Sequence, residues 1–318
     1  MLVTEKALIS RVRQAATRHS GVTIGIGDDC AVLRVPTGHE ILVTTDFTLE
    51  GVHFRREWHA PEVVGHRCLT RGLSDIAAMG GIPIAAFLSL ALPRSLSKLW
   101  VQGFTRGLLR LAERFDVTLA GGDTAESPTG IQADIVVVGS VPKGTALLRS
   151  GAQPGDQIYV TGTLGGSSAA LAALRTGTEI RPAEFPQHFR PVPRLAVGFF
   201  LRKRRIASAM IDLSDGLSTD LAHICEESRV GAEILASAIP RARVGETQAS
   251  VELHKALHGG EDYELLFTAP ENKLVPNRIS GVEITLVGRV TRKKRRVLVT
   301  ARGERRELKA RGWEHFRS

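Results

Sequence analysis

Hydrophobic and polar positions change rhythm along this 318-residue chain. Runs rich in β-branched residues, VTIGIG (22–27), CAVLRV (30–35) and EILVTTD (40–46), predict strands, with Pro36-Thr37-Gly38 turning the chain between the last two. From residue 61 the period lengthens. Val64, Cys68, Gly72, Asp75 and Met79 recur on one helical face and predict a helix over 61–79, opened by Pro61 and stopped by Gly80, Gly81 and Pro83. A strand at 84–90, a helix from an N-cap at Ser95 to about Arg114, and strands at 117–120 and 133–141 complete the first half.

A Gly- and Pro-rich stretch at 142–156 reads as a linker. Beyond it the pattern predicts a strand at 157–161, a Gly-rich turn, a helix at 167–175, a Pro-rich loop near 182–193 and a helix ending near Leu201. A strand at 207–212, a helix at 216–227 and strands near 263–268, 283–288 and 296–301 follow. The expected fold is α/β with mixed sheets, in two domains covering 1–141 and 157–318.

Composition narrows the class. With 43% hydrophobic and 24% charged residues the chain is an ordinary globular one, which excludes disordered and fibrous classes. The longest apolar stretch, Ile82 to Leu92, is too short to span a bilayer, and Glu5, Lys6 and Arg11 interrupt any apolar leader after Met1. Cys30, Cys68 and Cys225 lie far apart with no CxxC pair, so neither a disulfide framework nor a zinc site is expected, and a reducing cytoplasm is. The net charge of +9 raises nucleic acid as a partner. Its location argues otherwise. Residues 292–318 hold 11 basic and 3 acidic residues; removing these from the totals of 42 and 33 leaves 31 basic and 30 acidic residues in a nearly neutral body. The basic end reads as a solvated final strand and helix.

The chemistry concentrates in aspartates at expected element ends: Gly27-Asp28-Asp29, Thr44-Thr45-Asp46, Leu73-Ser74-Asp75, Gly121-Gly122-Asp123 and Asp212-Leu213-Ser214-Asp215. One Asp-Gly or Ser-Asp is ordinarily a turn or a cap. Five such clusters point to a site. Asp75 falls on the apolar stripe of its helix, where an ionised carboxylate needs a cation or several donors. So many carboxylates in one cleft repel one another unless cations lie between them, and an oxygen-rich, sulfur-free set selects Mg²⁺, Mn²⁺ or Ca²⁺. Gly121 and Gly122 permit close phosphate approach, and Arg149 offers a phosphate fork. These features point to Mg²⁺-dependent chemistry on a polyphosphate such as ATP. No GxxxxGK[ST] loop and no protein-kinase motif set is present.

The runs IGIGDDCAVL (24–33), TTDFTLEGVHF (44–54), LSDIAAMGGIP (73–83), AGGDTAESP (120–128), RSGAQPGDQIYVTG (149–162), IDLSDGLSTDLAHI (211–224), GGEDYELLFT (259–268) and GWEHF (312–316) resemble those of the thiamine-monophosphate kinases. That family belongs to the superfamily of aminoimidazole ribonucleotide synthetase and selenophosphate synthetase. The resemblance implies ATP-dependent phosphorylation of thiamine monophosphate, the last step of thiamine diphosphate biosynthesis. It also implies several Mg²⁺ ions and a homodimer whose N-terminal domains build a shared β-barrel. Carried over by motif, Asp29, Thr44, Thr45, Asp46, Asp75, Asp123, Asp212 and Asp215 are metal ligands, with Asp46, Asp75, Asp123 and Asp212 at the catalytic centre. Gly122, Asp123, Arg149 and Ser214 contact ATP, with Phe104 or a neighbour near the nucleotide. His53, Glu261 and Trp313 contact the thiamine phosphate.

Three departures stand out. Gly72 replaces the Asn usual before LSD, Ala125 and Glu126 replace Thr-Arg after GGD-Thr, and Arg229 replaces a small residue. Two other readings stay open from sequence: a selenophosphate or aminoimidazole ribonucleotide synthetase of the superfamily, the selenium one weakened because no Cys precedes Cys30, and a nucleic-acid-binding protein acting through the basic end.

Overall fold

The computed structural model describes residues 5–27, 29–314 and 316. Asp28 of the first aspartate cluster and His315 of the closing motif lie outside the described residues. The chain forms two compact units. Residues up to Ile76 together with Gly81–Gly144 make the first, and Ala77–Gly80 with the residues from Thr145 onward make the second.

The first unit runs α1 (Glu5–Ala15), β1 (Val22–Ile24), β2 (Val32–Leu33), β3 (His39–Leu49), α2 (Pro61–Ala78), β4 (Ile82–Leu92), α3 (Lys98–Arg114), β5 (Thr118–Glu126) and β6 (Gln132–Pro142). Four strands form one sheet in the order β3-β6-β4-β5, so β3 and β5 are its edges. β6 is antiparallel to β3 and β4, while β4 and β5 are parallel. The helices α2 and α3 approach closely at two glycines: a Cβ at Gly65 would fall on the Phe104 carbonyl, and one at Gly107 on the Glu62 carbonyl. Phe104, stacked on Trp100, is fully buried there. The α3 cap is Ser97, whose Oγ accepts from the Trp100 N–H at 3.2 Å, and not Ser95.

Period-2 alternation divides β3. Thr44, Asp46 and Thr48 share one face, whereas Ile41, Val43 and Phe47 project from the other and are exposed. Ile82, in register with Ile41 through Ser140, continues that exposed apolar face.

The second unit runs β7 (Gln157–Thr161), α4 (Gly166–Arg175), α5 (Pro186–Phe189), α6 (Leu195–Lys203), β8 (Ala209–Asp212), α7 (Leu217–Ser228), β9 (Gly231–Leu235), β10 (Arg243–Val244), β11 (Ala249–Ser250), α8 (Leu253–His258), β12 (Leu265–Ala269), β13 (Arg278–Ile279), β14 (Val282–Thr291), β15 (Arg296–Val299) and β16 (Arg305–Glu307). Its main sheet is ordered β16-β15-β9-β14-β7-β12-β8, with β13 paired to β14. The strands β7 and β12 and the edge strand β8 are almost wholly buried, which is why they read as continuous apolar runs. No helix is described after β16, so the expected closing helix is absent among the described residues. Among those residues no helix is long and apolar enough to cross a membrane.

Candidate active site

Two predicted clusters lie inside strands and not at their ends. Thr44, Thr45 and Asp46 are central in β3, and Gly121, Gly122 and Asp123 are central in β5, because both strands continue well past the runs expected from sequence.

At the β3 edge, α2 delivers Asp75 to the face that carries Thr44 and Asp46. The Thr44 hydroxyl donates to Asp75. Asp46 packs beside Asp75, and its carboxyl is pushed up to about 6 by burial first and then by the Asp75 charge, with Arg71 opposing both. The Arg71 Nε stands 3.7 Å from the Asp46 carboxylate. Gly72 lets the helix come this close: a Cβ there would lie 2.5 Å from Val137 Cγ2. Behind this group the buried Cys68 thiol is pushed up to about 12 by burial. Thr45 differs from its neighbours. Its side chain lies on the opposite face, where Oγ1 donates to Asp134 at 2.6 Å, so it is not brought to the Asp46–Asp75 pair.

At the β5 edge, Gly122 has φ +150, and a Cβ on it would strike the Leu88 backbone. Asp123 accepts from the Thr124 N–H at 2.8 Å. Asp29, Gly121, Gly122 and Asp123 line a cavity of about 580 Å³ walled by apolar residues including Leu8, Val12 and Phe87. Thr105 also lines it, while Phe104, the aromatic expected near a nucleotide, is in the core. The two carboxylate groups are separated within the chain. Asp46 shares a rung with Ile135, Leu88 and Gly122 across the whole sheet, a span of about 14 Å at normal strand spacing.

His53 follows β3. Its Nδ1 accepts the Leu49 N–H at 3.0 Å, which assigns the ring proton to Nε2. Its carbonyl accepts from Arg67 at 3.3 Å.

In the second unit the site is built around the turn from β8 into α7. Asp212 ends β8 and is buried. Gly216, at φ +112, brings the turn against His258 and Gly259. Asp220 accepts the Gly216 N–H at 2.9 Å and the Asp215 N–H at 3.2 Å. Its carboxyl is raised well above the ordinary range by burial, then by Asp212 and Asp215. Carboxylates of Asp215 and Asp220 and a ring nitrogen of His223 lie within 4.8 Å of one another.

Two further segments attach to this turn. The Glu261 N–H donates to Ser214 O at 2.8 Å, and the Tyr263 N–H to Leu213 O at 3.0 Å. Both residues have positive φ, +64 and +51, so the GGEDY loop holds a conformation that L residues adopt reluctantly. The buried Asp262 accepts from Gly165 N–H (2.7 Å) and Ser167 N–H (3.3 Å) at the start of α4, and burial pushes it up to about 7. Arg194 pairs with the buried Glu264 and donates through Nε at 2.6 Å, anchoring the loop's far end. Trp313 donates its N–H to Asp215 O at 3.0 Å, and a Cβ on Gly312 would collide with that same oxygen. Asp215, His223, Trp313 and Glu314 line a cavity of about 340 Å³. Glu261 and Trp313, some 50 residues apart in sequence, are thus tied to adjacent carbonyls.

Arg149 is held elsewhere. Its carbonyl accepts from Ser228 Oγ at 2.9 Å, at the far end of α7, about 17 Å of helix from the Asp215 end. Its side chain is exposed. Sequence reasoning missed Arg71, Asp134 and Asp220. Asp134 could have been found as the lone charge in an apolar strand, and Arg71 by its position one helical turn before Asp75.

The donors at Asp46–Asp75 are two carboxylates and a hydroxyl, and the burial and then the like-charge repulsion that raise Asp46 are what a hard divalent cation offsets. The residues fit Mg²⁺. The Asp212, Asp215 and Asp220 group, with its strongly raised carboxyl, fits as well.

Comparison with known proteins places this architecture. Residues 27–141 match the family described as AIR synthase related protein, N-terminal domain, and residues 153–300 its C-terminal domain. The chain is therefore a two-domain protein of the aminoimidazole ribonucleotide synthetase-related class. Thiamine-monophosphate kinase of Escherichia coli K12 is 38% identical over 306 residues, covering 93% of this chain and 92% of the relative. The Bacillus subtilis 168 enzyme is 34% identical over 326 residues, covering 98% of both. The structure of AaThiL complexed with AMPPCP and TMP superposes with a TM-score of 0.78 at 33% identity, covering 99% of this chain and 97% of that one. The hydrogenase maturation protein HypE, 18% identical with a TM-score of 0.75, shares the fold. The chain belongs to the thiamine-monophosphate kinase family.

Proposed function

We propose that this chain transfers the γ-phosphoryl group of ATP to the phosphate of thiamine monophosphate, giving thiamine diphosphate. The observation that carries this reading is the 38% identity to a thiamine-monophosphate kinase along 93% of the chain, together with the Thr44–Asp46–Asp75 constellation.

The acceptor is a phosphate monoester, ionised near neutral pH, so no general base is required. The obstacle is bringing one polyanion to another. Bound Mg²⁺ ions would supply the charge neutralisation and the in-line alignment of phosphate oxygens, held by Asp46, Asp75 and Thr44 and by Asp212 and Asp215. Transfer is direct, without a phosphoenzyme.

The chain's own groups divide the remaining work. The apolar cavity beside Gly122 and Asp123 receives the nucleotide, with Gly122 keeping the backbone bare where phosphate approaches. Trp313 stacks on the cationic thiazolium, and Glu261, fixed through Ser214, faces the same charge. His53 offers Nε2–H to the acceptor phosphate. Ser214 and Arg149 remain proposed ATP contacts.

The exposed apolar face of Ile41, Val43, Phe47 and Ile82, with β3 and β5 as sheet edges among the described residues, supports a homodimer in which two such sheets close into one barrel. In the proposed barrel we take the β3 edge of one copy to meet the β5 edge of the other, which would complete the site from two chains. Three free cysteines, two of them buried, suit a reducing cytoplasm.

The test is incubation with ATP and Mg²⁺ plus either thiamine monophosphate or thiamine. Thiamine diphosphate formed from the monophosphate alone is the expected result; no product, or product from thiamine, overturns the reading.

A further inference from the structure

The β3–α2 pairing carries one charge that the proposed chemistry does not use. Residues two apart on a strand repeat every ~6.8 Å, and residues four apart on a helix every ~6.0 Å. The two periods nearly match, so α2 presents successive rungs to β3. Asp75 meets Thr44, Arg71 four residues earlier meets Asp46, and Cys68 three residues before that lies beside Thr48. The middle rung is an arginine against a proposed metal ligand. Arg71 is largely buried, with 14% of its side chain exposed against 30% for Asp46, and its Nε stands 3.7 Å from Asp46 Oδ1. An arginine keeps its charge at any working pH, and at this distance in a partly buried setting a unit charge is weakly screened.

We propose that Arg71 is a resident counter-cation of the metal site: it shares Asp46 with the divalent ion, holds that carboxylate toward Asp75, and lowers the site's affinity for divalent cations. Arg71 is a positioning residue acting through Asp46. A fixed cation here keeps the carboxylate pair ordered when no metal is bound. It would also weaken the hold of Asp46 and Asp75 on a divalent ion. The inference rests on the assignment of Asp46 and Asp75 as metal ligands under the proposed function.

The experiment is calorimetric titration of the nucleotide-free protein with Mn²⁺ as a probe of the Mg²⁺ site, comparing wild type with Arg71→Met, Arg71→Lys and Asp75→Asn. Removing the charge in Arg71→Met is expected to tighten Mn²⁺ binding about tenfold. Arg71→Lys, which retains the charge, is expected to stay within about threefold of wild type. Asp75→Asn is expected to abolish binding at this site and to leave any Mn²⁺ held by the Asp212–Asp215 group. If Asp75→Asn leaves Mn²⁺ affinity unchanged, the metal assignment itself is wrong. If Asp75→Asn abolishes binding at this site while Arg71→Met binds with unchanged or weaker affinity, the role of Arg71 is wrong and the metal assignment stands. A merely structural arginine would give weaker binding on removal, which is the opposite sign.

Discussion

Asp46 and Gly122 lie on one rung of a four-stranded sheet, joined through Ile135 and Leu88, at its two opposite edges. Asp46 therefore cannot share an ion with Asp123, one residue beyond Gly122, inside a flat single sheet. The proposed two-chain barrel would bring the β3 edge of one copy to the β5 edge of the other. Each variant, Asp46→Asn and Asp123→Asn, is expected to be inactive alone. Mixed after reversible dissociation, they are expected to recover about one quarter of wild-type activity: half the dimers are mixed, and each mixed dimer holds one site with both carboxylates. No recovery in a mixture shown to exchange subunits would place the site within one chain.

Asp75 combines burial, a hydroxyl donor and a like-charged neighbour. Asp75→Asn is expected to lower kcat by at least about 100-fold while the thermal midpoint is retained or rises, because the substitution removes the repulsion on Asp46. Near-normal turnover would remove the multi-metal mechanism.

Trp313 and Glu261 are tied to Asp215 and Ser214 by backbone bonds, so their side chains can be changed without moving the turn. Trp313→Ala is expected to raise KM for thiamine monophosphate by about 10-fold, the worth of one cation–π contact, with KM for ATP unaltered. Gly312→Ala is expected to do the same indirectly, since its Cβ would collide with Asp215 O. Equal changes in both KM values would argue against an acceptor-specific role.

Asp262 gives a pH prediction. Burial pushes its carboxyl up to about 7 despite two backbone N–H donors. Between its unfolded value near 4 and about 7, the folded chain retains a proton that the unfolded chain has lost. Its contribution to stability is complete below pH 4 and is lost as pH rises through 7. The stability of wild type relative to Asp262→Asn is expected to fall by a few kcal/mol, on the order of 1 kcal/mol per unit, across that window in urea unfolding. Parallel curves would mean that the helix-start N–H groups outweigh burial.

Much of this was legible in the chain. The α2 helix over 61–79 appears as Pro61–Ala78, because its apolar stripe and its Pro and Gly ends act locally. The buried strands were found from their apolar runs. Strand lengths were misread where Gly, Thr and Asp interrupt them: β5 continues through GGDTAE since its partner β4 supplies the ladder whatever the side chains prefer. The α1 helix was missed, as was β9. Thr45 reads like its neighbours in TTD, but the period of 2 sends it to the other face.

The sequence by itself determined the inventory: which carboxylates exist, which runs must be buried, and where the positive charge gathers, because composition and local periodicity are properties of neighbours along the chain. Only the tertiary structure decided the partners. It set Asp75 against Thr44, Arg71 against Asp46, and Glu261 and Trp313 on adjacent carbonyls of one turn. It also placed Asp46 and Asp123 toward opposite edges of one sheet. Those pairings arise from sheet register and from glycines that let backbones meet, and register is settled by contacts between residues tens of positions apart.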